Sequence, residues 1–120
     1  MPPVFRNPSP FEFYINVGGI YTPIDLVFST VIEKTAAYTL TLSDSICVVD
    51  ATGGAVTITL PTAASAINRC FYIKKIDASG NAVTVDGDGS ETIDGATTAS
   101  LASQYDSVQV VSDGTEWWII

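Results

Sequence analysis

The chain has 120 residues, of which 15% are charged and 47% hydrophobic, and its formal net charge is −8. That length suits one domain with an appendage, while an ordinary soluble domain is about 25% charged, so part of this surface is expected to lie against another chain. With only Arg6, Lys34, Arg69, Lys74 and Lys75 basic, there is no footprint to displace nucleic-acid counterions, and no run approaches the ~18 apolar residues of a membrane span.

Four of the six prolines, Pro2, Pro3, Pro8 and Pro10, fall in the first ten residues. Proline fixes φ and donates no backbone hydrogen bond, which predicts an extended arm rather than a helix or a central strand. No leader peptide is expected, because Met1 runs directly into "PPVFRNPSP". The arm carries large apolar groups, which are scarce in solvated tails. Such an arm either folds back on its own domain or lies on a partner; it is read as an anchor that docks on a partner through Val4, Phe5, Arg6, Phe11 and Tyr14.

"FEFYINVGGIYTPI" follows, two β-prone runs around Gly18–Gly19. Both glycines accept positive φ, which predicts a hairpin, and Pro23 keeps the return strand at an edge. "STVIEKTAA" is read as a connector. Residues 1–36 thus form the arm and hairpin, and a β-domain is expected over residues 37–120.

Within that domain the period is two. "YTLTL" places Tyr38, Leu40 and Leu42 opposite Thr39 and Thr41, and "VTITL" places Val56, Ile58 and Leu60 opposite Thr57 and Thr59. "FYIKK", "AVTV", "SVQVV" and "EWWII" continue the series, separated by "DATGGA", "DASGN", "DGDGS", "IDG" and "SDGT". Short strands between such turns predict an all-β fold, a small antiparallel sandwich or barrel-like domain. The one helix candidate, "PTAASAINR", amounts to a turn or two. In "EWWII" Trp117 and Ile119 share one face and Trp118 and Ile120 the other. A strand apolar on both sides suggests core plus subunit interface, formed by Trp117, Trp118, Ile119 and Ile120.

The acidic stretch "TVDGDGSETIDG" holds Asp86, Asp88, Glu91 and Asp94. Counted from Asp86 as a calcium loop, the sixth position is Glu91 where glycine is required and the twelfth is Thr97 where glutamate is required. Carboxylates on glycine-flanked turns are solvated and would both ionise, which argues against glycosidase chemistry. The stretch is read as tight turns around a very short strand at "ETI". There is no histidine, which removes the commonest general base and zinc ligand, and no nucleophile-elbow, Walker or dinucleotide-binding motif occurs. No metal, cofactor or catalytic residue is expected. Cys47 and Cys70, in "SICVV" and "RCFYI", are read as two reduced core thiols.

From "YTLTL" through "VTITLP", "FYIKK", "NAVTV", "GSETIDG" and "SVQVVSDGTEWWII", residues 37–120 resemble a β-domain of structural proteins of tailed bacteriophages. Such domains occur on tail fibres, head fibres and capsid decoration proteins, commonly as trimers. The resemblance implies a non-enzymatic virion protein assembled in the host cytoplasm: a homotrimeric capsid decoration, cement or head-fibre protein whose arm docks on the major capsid protein. The shortness of the chain favours decoration. The alternative is a short tail-fibre or baseplate component binding a host-surface glycan, with Tyr105, Trp117 and Trp118 as stacking platforms.

Overall fold

A computed structural model describes residues 13–17, 20–24 and 30–120, with side chains from residue 30 onward. Its strands are β1 Phe13–Val17, β2 Ile20–Ile24, β3 Val31–Lys34, β4 Tyr38–Thr39, β5 Ile46–Val49, β6 Val56–Thr59, β7 Cys70–Lys75, β8 Val83–Asp86, β9 Thr98–Leu101, β10 Ser107–Ser112 and β11 Trp117–Ile119. The fold is all-β, with no α-helix among the described residues.

The expected hairpin is present as the antiparallel pair β1–β2, with Tyr14 opposite Pro23. Gly18 and Gly19, and the arm residues Val4, Phe5, Arg6 and Phe11, lie outside the described residues.

The remaining strands form a five-stranded sheet, β11-β10-β7-β5-β3, and a four-stranded sheet, β4-β6-β8-β9. Their buried residues make one core. Cys47, Val49, Phe71, Ile73, Val110 and Trp117 come from the first sheet, and Val56, Ile58, Val83, Val85 and Leu101 from the second. Removing a Val, Ile or Phe side chain from water contributes about 1.5–3 kcal/mol, so this interior supplies the main driving force.

The expectation of an antiparallel sandwich needs correction. β3–β5, β5–β7, β4–β6 and β6–β8 are parallel, and only β7–β10, β10–β11 and β8–β9 are antiparallel within these two sheets. From β3 to β8 consecutive strands alternate between the sheets. Parallel neighbours need a crossover, and here each crossover is a strand of the opposite sheet. Period-two alternation fixes which residues point inward but not which strand lies alongside.

Three local readings also change. "STVIEKTAA" is not a connector, because β3 pairs with β5 from Val31–Ile46 to Lys34–Val49 and so extends the five-stranded sheet ahead of residue 37. The "YTLTL" strand stops early: Asp44 accepts hydrogen bonds from the Thr41 N–H and the Tyr38 hydroxyl, both at 2.8 Å. That turn leaves Leu40 buried and Leu42 exposed. "PTAASAINR" forms successive tight turns, with Ser65 N–H donating to Thr62 O and Arg69 N–H to Ala66 O. Its small side chains Ala63 and Ala66 drop into the core.

Candidate functional site

The two sheets turn very different faces outward. On the four-stranded sheet the register aligns Thr57, Thr84 and Ser100 in one row and Thr39, Thr59, Asp86 and Thr98 in the next. This is a hydroxyl-covered surface, as expected for a half-exposed strand face.

The outer face of the five-stranded sheet is largely apolar. One row runs Val31, Ile46, Tyr72, Gln109, and Ile120 extends it, its N–H donating to Gln109 O at 3.0 Å. A second row runs Cys70, Val111, Trp118, and a third runs Glu33, Val48, Lys74, Ser107. Val31 and Ile120 are each 66% exposed, Trp118 46% and Tyr72 42%. At about 4.8 Å between strands, five strands span roughly 20 Å.

Two aromatic side chains on this face are held in place. The Tyr72 hydroxyl accepts the Gln109 side-chain amide at 2.7 Å. The Trp118 indole N–H donates to Asp113 at 2.8 Å, whose other oxygen caps the "SDGT" turn by accepting the Thr115 and Glu116 N–H groups, both at 2.8 Å. Hydrogen bonds from the Glu116 backbone and then the Trp118 indole hold the Asp113 carboxyl below its ordinary range. Aromatic groups already fixed in one rotamer lose little entropy when a partner covers them, and such groups dominate protein interfaces.

Of the four residues expected at a subunit interface, Trp118, Ile119 and Ile120 are exposed, whereas Trp117 is fully buried. Its ring meets Phe71 at a centroid distance of 5.8 Å and a tilt of 58°, within the range of favourable aromatic pairs. The sequence reading missed Val31, Ile46, Tyr72 and Val111. The available signal was "ICVV", four apolar residues in a row where a one-sided strand would alternate.

The acidic stretch turns the chain as read, with Asp88 and Asp94 exposed, and it also acts as a clasp. Asp94 and Gly95 both have positive φ, 50° and 85°, and Ile93 and Ala96 exchange two backbone hydrogen bonds across them. This is the two-residue turn that Asp-Gly favours. Asp94 accepts the Ile119 N–H at 2.9 Å, Trp117 N–H donates to Thr92 O, and Asp94 N–H donates to Trp117 O. These bonds cover the outer edge of β11, an edge that would otherwise present unpaired groups. Glu91 reaches the tight turns after β6 and accepts the Ala63 N–H at 2.9 Å. The expected strand at "ETI" reduces to isolated bridges at Ile93. Gly87 is obligatory, because a Cβ there would lie 2.4 Å from Glu91 O.

A second network is buried. The Lys75 ammonium and Asp77 carboxylate meet at 2.7 Å, with 0% and 5% of their side chains exposed. Asp77 also accepts the Ala51 N–H at 2.7 Å, the Ser79 N–H at 3.0 Å and the Ser79 hydroxyl. Burial alone would raise the Asp77 pKa. The hydrogen bonds from Lys75, Ser79 and Ala51 outweigh it and hold the carboxyl well below the usual range. One Asp77 oxygen ties this turn to Ala51 in the turn after β5 and the other holds Lys75 and Ser79, which makes the pair structural.

Both cysteines are free thiols. Cys47 is in the core as read, and burial pushes its thiol up to about 11. Cys70 is only half-buried, on the outer face. No group of three or more His, Cys, Asp or Glu side chains gathers among the described residues. Tyr105 and Trp118 do not converge as a sugar platform. Tyr105 precedes the start of β10, while Trp118 pairs with Val111, six positions on and roughly 20 Å away along a strand. No protein-family model matches the chain, and no curated protein matches it significantly.

Proposed function

We propose that this protein is a non-enzymatic structural component of a bacteriophage particle, a capsid decoration or cement protein of the head-fibre kind. It is assembled in the host cytoplasm as a homotrimer. The β-domain, which begins at β3, forms an outer knob, and the N-terminal segment ahead of β3, with Val4, Phe5, Arg6, Phe11 and Tyr14, docks on the major capsid protein.

The observation that carries this reading is the pre-set apolar face, from Val31 across Tyr72 to Trp118 and Ile120, on a domain whose other side is a threonine surface. Such a face supports assembly with protein. The use of Glu91, Asp94, Asp77 and Asp113 as turn and edge caps supports a structural role for the carboxylates. The resemblance of residues 37–120 to phage β-domains supplies the kind of particle, and two free thiols suit assembly in a reducing compartment.

The test is deletion of residues 1–11, with two measurements: thermal unfolding of the free protein, and occupancy on particles lacking it. Unchanged unfolding with lost attachment is expected. Normal attachment would refute the anchor. Labelling of intact particles would complete the test, since copies over the whole capsid fit decoration and a few copies at the tail would replace it with the tail-fibre reading.

A further inference from the structure

The outer face of the five-stranded sheet carries exposed Val31, Tyr72, Trp118 and Ile120, and its charges bear on what covers it. The chain carries a net charge of −8, so copies of it repel one another over most of their surface. Among the described strand positions of the outer face the balance is even: Glu33 and Lys74 are the charged residues there, in one row on either side of Val48, while Asp113 sits at the rim with its carboxylate already bonded to the Trp118 indole. β3, β5 and β7 are adjacent, which puts the two backbones about 10 Å apart, too far for a direct ion pair between most rotamers. Glu33 is exposed and makes no ion pair among the described residues. Lys74 donates to Tyr105 O at 3.3 Å, which leaves two of its three ammonium donors.

We propose that copies of this chain meet through this face, with Glu33 of one copy paired to the partner's Lys74 while Val31, Ile46, Tyr72 and Trp118 fill the apolar centre. One acid and one base per copy on the same row let a closed ring of any order satisfy every charge, because each copy gives its Glu33 to one neighbour and its Lys74 to another or to the same one. An unrelated partner would not have to match this spacing. The inference rests on the reading of the protein as a multi-copy assembly and names the surface that builds it.

The test uses the full chain and reads mass by light scattering across a dilution series, with thermal unfolding as a check on folding. Glu33→Lys and Lys74→Glu, each alone, place like charges together and should weaken association about tenfold or more. The double exchange should restore it to near the native level. Tyr72→Lys, at the centre of the patch, should weaken it about thirtyfold. Thr57→Lys on the opposite face should change nothing. A native chain that stays monomeric at micromolar concentration would overturn the proposal. So would single variants that associate as tightly as the native protein, or a double variant no tighter than the singles. Attachment to particles is scored separately. An oligomer that fails to attach sinks the decoration reading alone, and a monomer that attaches sinks the interface alone.

Discussion

The two outward faces of this sandwich are built by the same rule and differ in what fills it. Both sheets alternate inward and outward residues. On the four-stranded sheet the outward positions hold Thr39, Thr57, Thr59, Thr84, Thr98 and Ser100 beside Asp86, and on the five-stranded sheet Val31, Ile46, Val48, Tyr72, Val111, Trp118 and Ile120 outnumber the polar Glu33, Lys74, Ser107 and Gln109. Threonine keeps strand propensity while tolerating water. The chain therefore had a way to make a solvated strand face and used it on one side only. The apolar side is a choice that folding alone does not require.

The largest contrast lies between the two sides of β11. Trp117 points inward and fills the core beside Phe71, so Trp117→Ala should destabilise the fold by about 3–5 kcal/mol. Its neighbour Trp118 points outward, and Trp118→Ala should change the unfolding of the separated chain by less than about 1 kcal/mol. Trp117 Nε1 has no hydrogen-bond partner, so Trp117→Phe should cost clearly less than its lost volume implies. Denaturant unfolding of the three variants tests this, and equal losses at positions 117 and 118 would contradict the inside–outside assignment.

Next in size is the buried pair beneath the apolar sheet. Asp77→Ala leaves the Lys75 ammonium uncompensated and should lower the melting temperature by roughly 10 °C or more. The pH dependence has a definite sign. The folded pKa of Asp77 is depressed, so its contribution is fully present above the unfolded value of about 3.9. It is lost as pH falls from there toward the lower folded value. Acid melts below about pH 4 should therefore be steep for the native chain and shallower for Asp77→Asn.

Exchanging the chemistry of the faces should have a smaller effect on folding and a visible one on behaviour. Tyr72→Thr with Trp118→Thr should reduce binding of an apolar dye, whereas Thr57→Val with Thr84→Val should increase it, each with unfolding shifts within about 1 kcal/mol. The smallest effect separates the two thiols. Cys70 should react with an alkylating agent in the separated folded chain and Cys47 should not. Because the Cys47 thiol is raised to about 11, its share of stability is intact below the unfolded value of about 8.5. It falls as pH rises from there toward 11, and Cys47→Ala should lack that alkaline decline.

Much of this was legible in the order of residues. The alternation in "VTITL", "FYIKK", "AVTV" and "SVQVV" placed β6, β7, β8 and β10 and their inward residues, since burial of one strand face imposes a period of two. β3 was hidden because Thr30, Val31 and Ile32 sit among residues that suit a connector, and only pairing with β5 makes them a strand. The parallel order was hidden because alternation carries no information about neighbours. The roles of Glu91 and Asp94 were hidden because their partners, Ala63 and Ile119, are distant in sequence. Of the expected interface residues, Trp117 looked equivalent to Trp118, and only the sheet-to-sheet packing distinguishes them.

The winding that sends consecutive strands to opposite sheets also bears on how the molecule is made. A ribosome delivers β3 to β10 before it delivers residue 117, and each strand from β5 onward can be laid beside one already present. Yet Trp117, the largest fully buried side chain among the described residues, and the clasp from Thr92 to Asp94 that holds it are completed only with β11. A nascent chain up to residue 116 thus has nearly all its strands and a hole in its interior. Such a chain is expected to be compact but loosely packed until that single residue emerges.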